Sequence, residues 1–82
     1  MSAKDKMIAR LLAVPSDYTF IELRGLCSKL GCVISQKGRG SRCKIISPAG
    51  NVYDFHKPHS YCYFKEYVIK DLISFFKGEG LI

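Results

Sequence analysis

The stretch Arg42-Cys43-Lys44-Ile45-Ile46-Ser47-Pro48-Ala49-Gly50-Asn51-Val52-Tyr53-Asp54-Phe55-His56-Lys57 decides the fold. Two runs rich in β-formers, 42–47 and 52–57, flank Pro-Ala-Gly-Asn, which is turn chemistry, so the stretch reads as an antiparallel hairpin. Side chains alternate across a strand. Cys43, Ile45, Tyr53 and Phe55 therefore share one face, and Arg42, Lys44, Asp54 and His56 share the other. The apolar face must find a cover; the charged face must meet solvent or a ligand.

Working outward, residues 32–37 form a third β-rich run, separated from 42–47 by the turn Gly38-Arg39-Gly40-Ser41. A three-stranded meander is the simplest topology. Upstream, Thr19-Phe20-Ile21-Glu22 is a capping box, and Tyr18 can staple onto Leu23. The stripe Phe20, Leu23, Leu26, Cys27 and Leu30 follows at helical spacing, and Gly31 is a natural helix stop. A leading helix spans 3–13, capped by Ser2, striped by Met7, Ile8, Leu11 and Leu12, and ended by Pro15. The last helix spans 64–77, with Phe64, Tyr67, Val68, Leu72, Phe75 and Phe76 read as a broad core face and Leu81 and Ile82 folding back onto it.

The order is α-α-β-β-β-α, an α+β class. Without the leading helix (residues 1–15) the core over 18–82 is α-β-β-β-α, a three-stranded antiparallel sheet with helices on one face. That is the order of the double-stranded-RNA-binding domain. Fold order alone does not assign function.

A chain of 82 residues buries only about two-thirds of its unfolded surface, enough for one domain over 1–82. No apolar run approaches the roughly 18 residues of a membrane span, and nothing resembles a signal peptide, so the expectation is a cytoplasmic protein with no membrane contact. Cys27, Cys32 and Cys43 sit among apolar residues and read as buried free thiols. No CxxC pair exists; His56-x-x-His59-x-x-Cys62 is a weak metal alternative without a fourth ligand, so no metal is expected. The net charge is +6. Between Arg24 and Lys44, the cations Arg24, Lys29, Lys37, Arg39, Arg42 and Lys44 run without an intervening acid.

On the hairpin reading, one end of the open sheet face gathers Lys37, Arg39, Arg42, Lys44, His56, Lys57 and His59. Lysine and arginine neutralise phosphates and release counterions, which suits a nucleic-acid backbone; a solvated charged surface is the plain alternative. RNA is favoured over DNA because the element order matches a module that reads A-form shape, and no base-reading recognition helix is present. His56 and His59 are the candidate catalytic residues. A histidine can deprotonate a ribose 2′-hydroxyl or protonate a leaving 5′-oxygen, and a nearby cation can stabilise charge on the phosphate. The alternative leaves His56 as a solvated strand residue and His59 as a partner of the last helix.

The helix ending in Leu30-Gly31, the Gly40-Ser41-Arg42 step into a strand, Pro58-His59, the apolar helix carrying Phe64 and Ile69, and the closing Gly80-Leu81-Ile82 occur in a telling sequence. Over Tyr18–Ile82 the chain resembles the HicA toxins, small mRNA interferases of toxin–antitoxin systems, each neutralised by a HicB antitoxin. The resemblance implies an endoribonuclease that needs no metal or small-molecule cofactor, with mRNA and a HicB-like antitoxin as partners. It also marks a departure: Arg42 stands where the family carries its catalytic histidine, while His59 matches a second family histidine. Arginine stays protonated near neutral pH, so Arg42 can act only electrostatically. Three readings follow: cleavage by His59 or His56 with Arg42 as phosphate clamp, RNA binding without cleavage, or an inactive relative that keeps antitoxin binding.

Overall fold

The computed structural model describes residues 2–36, 42–58 and 63–82. Helix α1 (Ala3–Leu12) begins at Ser2, whose hydroxyl accepts the Asp5 N–H at 3.2 Å. Helix α2 (Phe20–Leu30) begins at the expected capping box: Thr19 Oγ1 accepts the Glu22 N–H at 3.2 Å, and the Glu22 carboxylate accepts the Thr19 N–H at 3.4 Å. Gly31 closes α2 in the left-handed region, φ 79°, where a side chain would be strained. Arg10 ties the two helices together, bonding Asp17 at 2.9 Å and Glu22 at 2.8 Å. Its guanidinium holds the Glu22 carboxyl below the usual carboxylate range.

Strands β1 (Val33–Ser35), β2 (Arg42–Ile46) and β3 (Val52–His56) form an antiparallel sheet in the order β1-β2-β3. The register pairs Ile34 with Ile45, Cys43 with Phe55 and Ile45 with Tyr53. These residues face inward. Cys43 and Ile45 are fully buried, alongside Leu11 of α1, Leu23 and Leu26 of α2, and Ile69, Leu72 and Phe76 of α3 (Glu66–Gly78). Phe55 touches the rings of Phe20 and Phe64, and Tyr53 that of Phe75, so aromatic side chains join the sheet to its helices. The three cysteines Cys27, Cys32 and Cys43 are free and buried as expected.

Several expectations need correction. Among the described residues, strand β1 covers only Val33–Ser35 of the run 32–37, and Leu12, expected in the apolar stripe of α1, is exposed. The last helix starts at Glu66, not Phe64. The Phe64 N–H is committed to the Tyr18 carbonyl at 3.1 Å, and its ring lies beside that of Tyr18 in the core. Tyr67 is not core: it is 64% exposed. The buried arc of α3 centres on Ile69, Leu72 and Phe76, and at about 100° per residue Tyr67 falls on the far side of the cylinder.

The chain end is tied down as expected, with Leu81 and Ile82 packed against the core. Glu79, just past α3, accepts from the Ser47 hydroxyl and from Asn51 Nδ2, fixing the β2–β3 turn to the end of the helix. Among the described residues no helix is long and apolar enough to cross a membrane.

Candidate functional site

Strand β2 builds the open face of the sheet by alternation. Cys43 and Ile45 point into the core; Arg42 and Lys44 are exposed on the opposite side. The register sets Arg42 directly across from His56 and Lys44 across from Asp54. Facing residues of adjacent strands carry their Cβ atoms about 5 Å apart, so the guanidinium and the imidazole can reach one phosphate between them.

Polarity changes along this face in three rows. Val33, Ile46 and Val52 cross the sheet at one end; Ser35, Lys44 and Asp54 cross the middle; Arg42 and His56 lie at the other end. Lys44 Nζ and Asp54 Oδ1 are 4.0 Å apart with both side chains more than half exposed, a contact that water screens heavily. Among the described residues no carboxylate lies within ion-pair distance of Arg42. The least compensated charge therefore sits beside the histidine.

The sequence-predicted residues divide into three groups. Arg42, Lys44 and His56 come together on the open face. Lys57 turns to the helix side, its Nζ 5.3 Å from the centroid of Phe20, where Arg24 also approaches at 6.0 Å. The alternation that exposes His56 sends the next side chain the other way, so Lys57 is not beside Arg42. Lys37, Arg39 and His59 lie outside the described residues, as does Cys62.

Sequence reasoning missed a second feature. A cleft of about 640 Å³ opens between β3 and the start of α3, lined by Tyr53, His56, Tyr63, Lys65, Tyr67 and Asp71 among others. Tyr63 is 53% exposed and Tyr67 64%. Burial, then the nearby charge of Asp71, pushes the Tyr53 hydroxyl above its ordinary pKa. The available signal was the position of Tyr67 opposite Leu72 and Ile69 on the helix wheel, which an inclusive reading of the apolar face concealed. His56 lines both the cleft and the open face, so the two features are contiguous.

Comparison of the chain with models of known protein families, with curated proteins and with solved structures returns no match.

Proposed function

We propose that this domain binds RNA on the open face of its sheet and cleaves it there, as the toxin component of a HicA-type toxin–antitoxin pair. The observation that supports this most is the register that sets Arg42 opposite His56 on an exposed, acid-poor end of the sheet. Arg42 and Lys44, on adjacent same-face positions of one strand, suit successive phosphates of a backbone. The element order, with α2, three strands and α3, fits a double-stranded-RNA-binding-like fold.

In the cleavage reading, the imidazole of His56 or His59 takes the proton of a ribose 2′-hydroxyl. The 2′-oxygen attacks the adjacent phosphorus, the bond to the 5′-oxygen breaks, and that oxygen receives a proton. Arg42 stabilises the charge that gathers on the phosphoryl oxygens. The products are a 2′,3′-cyclic phosphate and a free 5′-hydroxyl. A HicB-like antitoxin would cover this face and hold the toxin silent.

Binding without cleavage is the second reading. It is favoured by Arg42 itself, because an arginine at the position of the family's histidine supplies charge and no base. The two are separated by incubating pure protein with a labelled RNA beside His56→Ala, His59→Ala and Arg42→Ala variants. Cleavage predicts cyclic-phosphate ends from the wild type and their loss in at least one histidine variant. RNA that stays bound and intact through long exposure removes the nuclease and leaves the binder. RNA that is never bound removes both.

A further inference from the structure

The cleft beside β3 combines three properties that the open sheet face lacks. It presents two exposed aromatic rings, Tyr63 and Tyr67. It is concave, and its volume of about 640 Å³ falls within the roughly 300–1,000 Å³ of small-ligand sites. It also has an open backbone edge. The Ser47 N–H donates to the Asn51 carbonyl at 2.9 Å, which fixes the phase of the β2–β3 ladder. In an antiparallel pair that phase alternates, so the backbone groups of residues 51, 53 and 55 face β2. Those of Val52, Asp54 and His56 point away from it, and among the described residues no strand pairs with that edge.

Tyr63 and Tyr67 line the same cleft, both more than half exposed, and aromatic faces beside cations are a usual platform for an unpaired base. The cations are at hand: Lys65 lines the cleft, and His56 joins it to Arg42. The hydrogen-bonding groups are at hand too, in the Asp54 and His56 backbone and the Asp71 carboxylate. A sugar–phosphate strand running over Arg42 and His56 would bring its next nucleotide to the mouth of this cleft.

We infer that the cleft between β3 and α3 takes one unpaired RNA base, stacked on Tyr67 or Tyr63, while the phosphate of that nucleotide lies against Arg42 and His56. The inference rests on the RNA reading given above and sharpens it: the substrate is single-stranded at this nucleotide, because a paired base cannot leave its helix to enter the cleft without unstacking. Tyr67 is a specificity residue in this arrangement and takes no part in proton transfer.

The chain has five tyrosines and no tryptophan, so tyrosine fluorescence reports stacking directly. The experiment titrates the protein with three RNAs of equal length: a single strand, the same strand with abasic sites, and a duplex. The double variant Tyr63→Ala/Tyr67→Ala and the single variant Tyr67→Phe are run in parallel, with circular dichroism to verify folding. The expected result is quenching by the single strand only, and a preference of about tenfold for it over the abasic strand, within the range of a lost base–aromatic stack. The double alanine variant loses that preference and leaves duplex binding unchanged; Tyr67→Phe keeps the preference. Equal binding of the normal and abasic strands by the wild type overturns the base site while RNA binding stands. So does a double variant that keeps its RNA preferences and instead loses binding of an extended partner peptide, which would assign the open β3 edge to strand addition. No binding of any RNA removes the parent reading itself.

Discussion

The two faces of one sheet carry opposite instructions. On the inner face Cys43 and Ile45 are fully buried and Phe55 is nearly so; on the outer face the residues between them, Arg42, Lys44 and His56, are exposed. The two sets are interleaved along the same strands, so neither can shift without the other. The inner set fixes the register because a one-residue slip would turn every buried side chain to water. The outer set inherits that register, and the Arg42–His56 pairing follows from it. The core beneath thus sets the backbone spacing at which Arg42 and His56 face each other.

The largest effect comes from breaking the inner face. Ile45→Ala should cost about 2–5 kcal/mol, the range for a buried aliphatic truncation that leaves a cavity. Chemical denaturation measures it, and a loss below about 1 kcal/mol would mean the inner face tolerates collapse and does not hold the register. The chemistry of the same face gives a second test. Burial pushes the Cys43 thiol above its ordinary pKa, so little thiolate forms in the folded chain at pH 8. Alkylation mapped to the Cys43 peptide should be at least about a hundredfold slower in the native protein than in denaturant. Equal rates under native conditions would place Cys43 in water.

The outer face should behave in the opposite way. Asp54→Asn removes the acid that faces Lys44 across the strands and should change stability by no more than about 0.5 kcal/mol. It should raise RNA affinity about threefold at low salt by freeing Lys44 for phosphate. Weaker RNA binding by this variant would mean that Asp54 orders the site and does not merely offset its charge.

Local features of this fold were legible in the sequence. Thr19 and Glu22 form their capping box within one turn, Gly31 sits where only a left-handed residue fits well, and the period of two along 42–46 sorts β2 without reference to anything distant. What escaped depends on contacts between residues far apart. Arg10 meeting Asp17 and Glu22, Phe64 bound to Tyr18, and Glu79 clasping Ser47 and Asn51 all join separate elements. Tyr67 shows why periodicity alone misleads: a tyrosine counts as apolar in a stripe, but only packing reveals which arc of the helix is covered. The candidate site divided along the same line. The Arg42–His56 pairing follows from alternation and the turn length, whereas the turning of Lys57 toward Phe20 and the cleft beside Tyr67 do not.

The central claim is that the outer face is a phosphate-binding surface centred on Arg42, separable from the fold it sits on. The most direct test measures RNA affinity against salt concentration for the wild type and Arg42→Ala, both checked for equal stability. Each phosphate contact contributes roughly 0.7–0.9 to the slope of log affinity against log salt. The prediction is affinity that falls steeply with salt in the wild type, and a slope about 0.7 shallower in Arg42→Ala with weaker binding at every salt. Identical affinities and slopes for the two proteins would contradict it.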